Sequence, residues 1–177
     1  MSSPAAPPNT VLTTARLWLR PHQADDAPFL VRLNQDPLVT QYTGDVAFES
    51  LEQAQQVVAS LAQQYAQRRA GRFMVVERST GERLGFAGLK WDPDANTFDL
   101  GYRLARHAWG KGLGLEAARA CVDYGWNVLH VATLVAQAHP DNVASVRILT
   151  RLGFVQVPPW GPPDVPGFLP FRLQRTA

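Results

Sequence analysis

A glycine-rich segment, Trp109-Gly110-Lys111-Gly112-Leu113-Gly114, carries the residue types and spacing best suited to binding chemistry. Three glycines within five positions allow the backbone to turn tightly and to bring its N–H groups close to a ligand. A helix is predicted to follow, and its first turn offers unpaired N–H donors and the positive end of the helix dipole. The segment therefore predicts an anion site suited to phosphate or pyrophosphate, with a plain tight turn as the alternative.

Two familiar phosphate-binding loops do not fit this segment. In a Walker loop, Gly-Lys is followed by Ser or Thr, but here Gly112 follows Lys111, and Ala105 stands where the first glycine belongs. A dinucleotide-binding fingerprint needs a third glycine at the position of Leu115 and a strand that ends at the first glycine. The predicted strand ends about five residues earlier. The Lys111 side chain either points at phosphate or is an ordinary exposed lysine.

The glycine-rich segment is one of several motifs whose order along the chain resembles that of a known family. The glycine turn resembles the pyrophosphate loop of the GNAT N-acyltransferase superfamily, which follows the fourth strand and holds coenzyme A. Asn142-Val143-Ala144-Ser145 followed by Leu152-Gly153-Phe154 is similar to the segment after the fifth strand of that family. Ala15-Arg16-Leu17-Trp18-Leu19-Arg20-Pro21 and Asp99-Leu100-Gly101-Tyr102 resemble its ribosomal-protein-alanine acetyltransferase branch. The resemblance covers roughly residues 14–154.

The chain departs from the family pattern at three places. Trp109 stands where the family commonly has Gln or Arg, which removes only a side chain from a loop that binds through its backbone. Leu149 stands where many relatives carry a tyrosine general acid, and leucine cannot donate a proton. Val155-Gln156-Val157 and a proline-rich tail replace the acidic residues that the branch often has after Gly-Phe. The last departure bears on the acceptor substrate more than on the chemistry.

The resemblance implies an enzyme, an N-acetyltransferase that moves an acetyl group from acetyl-CoA to a primary amine by direct transfer. A protein N-terminal amine, a small amine, and an amino acid or antibiotic remain open as acceptors. In that family, the two strands that correspond to Thr97–Leu104 and Ala132–Ala138 diverge, and the gap between them receives the pantetheine arm. The positions implied to bind the acetyl-CoA co-substrate are Tyr102, Leu104, Trp109, Gly110, Lys111, Gly112, Leu113, Gly114 and Asn142.

Two residues are candidates for catalysis. Asp99 shares a strand face with Thr97, Gly101 and Arg103, and could accept the amine proton through water. Its alternative is an ion pair with Arg103 or contact with solvent. Ser145 could donate a hydrogen bond or a proton to the leaving thiolate. Its alternative is a first-turn serine that satisfies the backbone.

Asn142 could bond the pantetheine amide, cap a helix, or do both. A non-catalytic acyl-CoA-binding regulatory module is the alternative function, and a general nucleotide-binding protein is a third interpretation. Turnover with amines would separate the enzyme from the module. Stabilisation by ATP or NAD but not by CoA would select the nucleotide-binding protein.

The elements that must position these residues follow from changes in hydrophobic period, caps and turns. They are a strand over 16–20, a helix capped by Asp25 or Asp26, a helix from Ser50 to Gly71, strands over 73–77, 84–91 and 97–104, a helix over 115–129, a strand over 132–138, a helix from Asp141 or Asn142 to Gly153, and a last strand over 154–157. Short turns make the middle three strands an antiparallel meander, and the later strand returns across a helix parallel to the one it left. The predicted fold is α+β, a mixed, mostly antiparallel sheet flanked by helices.

The composition and charge of the chain limit the number of domains and the class of ligand. The chain of 177 residues has a net charge of +2, and 46% of its residues are hydrophobic, which predicts a single globular domain over 1–177. Residues 1–10 are expected to be irregular and frayed, and residues 158–170 of the proline-rich tail 158–177 are expected to be irregular. Residues 103–177 carry eight basic and four acidic side chains, which suits a polyanionic small ligand rather than nucleic acid.

The remaining expectations concern redox state, metals and location. A single cysteine, Cys121, excludes a disulfide framework and is expected to be buried and inert. The histidines show no ligand spacing, so no metal is expected. The absence of a signal peptide or membrane-length apolar run predicts a cytoplasmic protein without a membrane partner. A homodimer is common among proteins that look like this one.

Overall fold

The computed structural model describes residues 4–44, 48, 50–160 and 167–175. In this described part of the chain, eight strands form one sheet in the order β1-β2-β3-β4-β5-β6-β8-β7. Their bounds are β1 Leu12–Thr13, β2 Leu17–Arg20, β3 Arg72–Glu77, β4 Arg83–Asp92, β5 Thr97–Leu104, β6 Thr133–Ala138, β7 Val155–Gln156 and β8 Leu169–Gln174. Within the described residues only β5 and β6 pair in parallel, so the predicted mixed, mostly antiparallel sheet is confirmed.

Helices cover both faces of the sheet. They are α1 Ala27–Gln35, α2 Pro37–Thr40, α3 Leu51–Arg68, α4 Leu113–Asn127 and α5 Val143–Arg151, with short 3-10 turns at Ala24–Asp26 and Arg106–Ala108. One hydrophobic cluster joins α4 to the sheet through residues such as Phe73, Leu100 and Ala117. A second joins α1 and α3 to the other face through Leu30, Val58 and Met74.

The helix boundaries follow local caps. The Ser50 side chain accepts the Gln53 N–H at 3.2 Å, as the capping signature predicts. Helix α3 ends before the predicted stop at Gly71, because Arg69 adopts a left-handed conformation with φ 55°. Helix α4 begins at Leu113, two residues before the predicted start at 115. This earlier start places Leu113 and Gly114 in the first helical turn.

The sheet opens between β5 and β6, as the resemblance implies. The two strands pair only at Phe98 with Leu134 and at Asp99 with Val135, although β5 continues to Leu104. Ala105 donates its N–H to the Leu84 oxygen across from β4. Because the direction of backbone groups alternates along a strand, those of Leu104 and Tyr102 point away from β4 and into the gap. An extended ligand therefore has a free strand edge to pair with.

The proline-rich tail was wrongly predicted to be irregular through Pro170. Strand β8 begins at Leu169 and pairs antiparallel with β6, and the short β7 pairs with β8 on its outer side. Phe171 is buried, and Leu169 and Leu173 pack against the core, so an alternating apolar pattern outweighs the proline. The predicted strand over 154–157 therefore exists but is not the last. Residues 161–166 and 1–3 lie outside the described residues.

Within the described part of the chain, no helix is both long enough and apolar enough to cross a membrane.

Candidate active site

The glycine turn that precedes α4 has a backbone shape that only glycine adopts easily. Gly110 and Gly112 have φ values of 72° and 77°, in the left-handed region. A Cβ added to Gly110 would meet nothing within 4 Å, so backbone conformation rather than space requires this glycine. Gly112 is the N-cap of α4. The turn thus presents the first N–H groups of a 15-residue helix, the arrangement that favours an anion.

The side chain of Trp109 fixes the start of this loop. Its indole Nε1 donates to the Leu104 carbonyl oxygen at 2.7 Å, and 47% of the residue is exposed. The Leu104 carbonyl faces the gap between β5 and β6. Sequence reasoning treated Trp109 as a loop residue that acts only through its backbone, but the structure shows that its side chain ties the loop to the end of β5.

A second contact reaches the loop from the N-terminal hairpin. Arg16 donates through Nη1 to the Lys111 carbonyl oxygen at 2.9 Å and forms an ion pair with Glu116 at 2.7 Å. The Lys111 side chain itself is exposed. Arg16 belongs to one of the motifs that carried the family resemblance, but no role was predicted for it. Contacts between residues about 100 positions apart leave no local pattern in a sequence.

On the other side of the gap, Asn142, Ser145 and Tyr102 lie together. The Asn142 side chain accepts the Ser145 N–H at 3.1 Å, which confirms Asn142 as the cap of α5. The Ser145 and Tyr102 hydroxyl oxygens are 3.0 Å apart, and the Tyr102 hydroxyl also donates to the Ser145 carbonyl oxygen at 3.2 Å. The sequence predicted Tyr102 and Ser145 as separate site residues, and the structure joins them.

The Tyr102 phenol is held in its protonated form. Burial raises the pKa of Tyr102, the Asp99 charge raises it further, and the hydrogen bond with Ser145 acts in the opposite direction without reversing the shift. A neutral phenol remains a hydrogen-bond donor at physiological pH. The single phenol proton can be donated either to the Ser145 carbonyl oxygen or to the Ser145 hydroxyl, and in the second arrangement the Ser145 hydroxyl is able to donate onward.

Asp99 forms an ion pair with Arg72 of β3 rather than the pair with Arg103 considered from the sequence. The Arg72 guanidinium also donates through Nη1 to the carbonyl oxygens of Gly88 at 2.6 Å and Asp99 at 2.7 Å. It lies directly over Gly101, where an added Cβ would be 2.6 Å from the Arg72 Cζ. Gly101 therefore leaves the space over β5 that the Arg72 guanidinium occupies, after crossing β4, to reach Asp99. The Arg103 guanidinium donates to the Asn34 side chain.

One cleft unites these groups. It has a volume of about 670 Å³ and is lined by Asp99, Arg72, Tyr102, Ser145 and Asn142. The far wall is aromatic: Tyr42 stacks on His139 with ring centroids 5.2 Å apart, and Phe168 meets His139 edge-on at 5.8 Å. The sequence did not single out these aromatic residues, because they come from three separate loops. A carboxylate and a hydroxyl pair thus line the cleft into which the open strand edge faces.

Other reactive side chains lie outside this arrangement. Cys121 is fully buried in α4, and burial raises the pKa of its thiol to about 12, which confirms the prediction of a buried cysteine. Among the described residues, no group of three His, Cys, Asp or Glu side chains could hold a metal ion.

Comparisons with known proteins agree with this geometry. The family model described as an acetyltransferase (GNAT) domain matches residues 16–155. The uncharacterized N-acetyltransferase p20 of Bacillus licheniformis is 32% identical over 144 residues, 81% of either chain. A solved acetyltransferase from Agrobacterium tumefaciens superposes with a TM-score of 0.81 at 27% identity, over 93% of this chain and 94% of that one. RimL, described as a ribosomal L7/L12 alpha-N-protein acetyltransferase in complex with coenzyme A, has a TM-score of 0.77 at 16% identity, over 93% and 97%, and shares the fold.

Proposed function

Because the chain belongs to the GNAT acetyltransferase family, whose members use acetyl-CoA, we propose that it moves the acetyl group of acetyl-CoA to a primary amine by direct transfer. The observation that carries the proposal is the meeting of three features at one gap in the sheet. These are the glycine turn at the N-terminus of α4, the open edge of β5, and the Tyr102–Ser145 hydroxyl pair.

The co-substrate would bind from the turn towards the cleft. The diphosphate lies on the backbone N–H groups of residues 110–114, where the helix dipole favours negative charge. The pantetheine arm extends along β5 and pairs with the backbone of Tyr102 and the N–H of Leu104. The Leu104 carbonyl already accepts the Trp109 indole N–H. Asn142 uses its side-chain oxygen as a cap, and its amide N–H groups are suited to a pantetheine carbonyl.

The reaction requires one bond to form and one to break. The neutral amine attacks the thioester carbon, the new C–N bond forms, and the C–S bond breaks. A backbone N–H at the open β5 edge stabilises the developing oxyanion. The amine proton passes to the Asp99 carboxylate through water. The Ser145 hydroxyl donates a hydrogen bond to the leaving thiolate and accepts one from the protonated Tyr102 hydroxyl. Fixed positions of the two substrates supply much of the rate.

The acceptor would be a protein N-terminal amine or a small amine. The cleft of about 670 Å³ is open and partly aromatic, so it has room for either. Free thiol released from acetyl-CoA should be measured with three acceptor sets: peptides with a free α-amine, polyamines, and amino acids. Turnover with one set would identify the class. Tight CoA binding without turnover in any set would support the non-catalytic module instead.

The role of Ser145 has its own test. Ser145→Ala should lower kcat by about 10²-fold, the usual size of a general-acid contribution, with little change in CoA affinity. Thr150→Ala is a matched control on the same helix, because Thr150 is exposed and its hydroxyl donates to the Val146 carbonyl oxygen of that helix at 2.9 Å. Equal turnover in the Ser145 and Thr150 variants would remove Ser145 from the mechanism.

A further inference from the structure

The turn between β1 and β2 is fastened to the phosphate loop by a cluster of short contacts. The Arg16 guanidinium bonds the Glu116 carboxylate at 2.7 Å and the Lys111 carbonyl oxygen at 2.9 Å. The Arg16 N–H bonds the same carboxylate at 2.9 Å, and the Thr14 hydroxyl bonds it at 2.5 Å. The cluster of Thr14, Arg16 and Glu116, here called the loop clamp, joins the N-terminal hairpin to the first turn of α4.

Glu116 is an unfavourable residue for an anion site unless its charge is balanced. It lies in the first turn of α4, at the helix end on which the diphosphate would bind. Burial alone would raise the pKa of Glu116, but the bonds from Thr14 and Arg16 outweigh that effect and lower it, so the carboxylate is ionised at neutral pH. A carboxylate there repels a diphosphate, and a guanidinium whose Nε and Nη2 both contact the Glu116 Oε2 atom removes most of that repulsion.

Arg16 also lies beside the turn that would touch the phosphates. An added Cβ on Gly112 would be 3.6 Å from the Arg16 Nη2 atom. Half of the Arg16 side chain is exposed, whereas Glu116 is only 18% exposed. The cation is therefore on the solvent side of the pair, where an incoming anion approaches. The carboxylate is turned inward against the hairpin.

We propose that Arg16 is a positioning residue for the co-substrate, which holds the phosphate loop in its binding shape and cancels the charge of Glu116. The inference rests on the proposed use of acetyl-CoA. It adds a site element from the opposite end of the domain sequence, because nothing in the glycine turn itself requires residue 16. It also explains why an acidic residue is tolerated at the head of an anion-binding helix.

A charge cycle tests the clamp. The variants are Arg16→Met, Glu116→Gln and the double variant, and the readouts are CoA affinity at equilibrium and KM for acetyl-CoA. Arg16→Met should weaken CoA binding about tenfold, because it leaves an unbalanced carboxylate near the diphosphate. Glu116→Gln alone should change affinity by about threefold or less. The double variant should recover most of the loss, and a double variant as weak as Arg16→Met would overturn the proposal.

A truncated thioester separates positioning from general damage. Acetyl-pantetheine has the same reacting arm without the diphosphate, so Arg16→Met should leave its kcat/KM unchanged while lowering that of acetyl-CoA. Equal losses with both thioesters would overturn the proposal. If Arg16→Met does not fold, Arg16→Lys replaces it. The lysine ammonium keeps the charge but cannot make the several directed bonds of the guanidinium. With this variant, kcat/KM should again fall for acetyl-CoA and stay unchanged for acetyl-pantetheine. CoA binding by the wild type without turnover would refute the proposed enzyme and leave the clamp test intact.

Discussion

Acidification should destabilise this protein through one buried histidine. The His22 side chain follows β2 and is fully buried, with its Nδ1 atom 3.9 Å from the Asp26 carboxylate. Neither ring nitrogen has a hydrogen-bond partner among the described residues. The Asp26 carboxylate already forms ion pairs with Arg20 at 2.7 Å and with Arg83 at 2.6 Å. Protonated His22 would therefore lie beside a carboxylate, Asp26, that Arg20 and Arg83 already neutralise.

Burial lowers the pKa of His22 to about 4, while Asp26 raises it and Arg20 lowers it by smaller amounts. Since the unfolded chain has a histidine pKa near 6.5, the unfolded state binds the proton more tightly. The stabilisation is therefore complete above pH 6.5 and is lost as the pH falls towards 4. The full difference corresponds to about 3 kcal/mol, of which about 2 kcal/mol is lost between pH 7 and pH 5.

The measurement is urea unfolding at pH 7, 6 and 5, followed by tryptophan fluorescence, for which the buried Trp18 is a natural reporter. His22→Leu removes the titrating group and should reduce the loss of unfolding free energy between pH 7 and pH 5 by about 2 kcal/mol. His130→Asn is the matched control, because His130 is exposed and has a φ of 54° that asparagine tolerates. A His22→Leu protein with the same loss as the wild type would refute the reasoning.

Three further substitutions test the site. Trp109→Phe keeps a ring but removes the N–H bonded to the Leu104 oxygen, so KM for acetyl-CoA should rise about fivefold with kcat nearly unchanged in steady-state kinetics; an unchanged KM would contradict the role given to the indole. Gly101→Ala places a Cβ against the Arg72 guanidinium and should lower kcat at least about tenfold. A Tm within a few degrees of the wild-type value would show that this variant keeps the fold. Gly112→Ala adopts φ 77° at a cost of about 1 kcal/mol, so calorimetry should show a Tm lower by roughly 3 °C, and isothermal titration should show weaker CoA binding.

Much of the framework was predictable because its signals are local. Strand β5 begins and ends at the residues expected from its alternating pattern, and the Ser50 cap marks the start of α3. The parallel return of β6 followed from the handedness of strand–helix–strand connections. The glycine turn was found for the same reason, since left-handed backbone leaves glycines in the sequence. Apart from the β6 return, which follows from a general rule of chain connection, each of these features is determined by residues within a few positions of one another.

The contacts that complete the site were not predictable because they join distant strands. Arg72 reaches Asp99 only because β3, β4 and β5 are adjacent and Gly101 leaves room above the sheet. A one-residue slip in either register would place Arg72 and Asp99 on opposite faces of the sheet. The same is true of β8, whose pairing with β6 depends on the chain returning after β7 to lie between β7 and β6. Sequence pattern named Asp99 as a candidate base but could not supply its partner.

The closeness of α4 and α5 connects the two ends of the proposed site. A Cβ added to Gly114 would lie 3.2 Å from the Ile148 Cδ1 atom and 3.8 Å from the Leu104 Cδ1 atom. Gly114 was expected to serve the phosphate loop, yet its lack of a side chain also allows α5 to pack close to the head of α4. Because Ser145 is on α5, this contact sets how far the hydroxyl pair lies from the turn. A larger residue at position 114 would therefore disturb the thioester end of the site as well as the phosphate end.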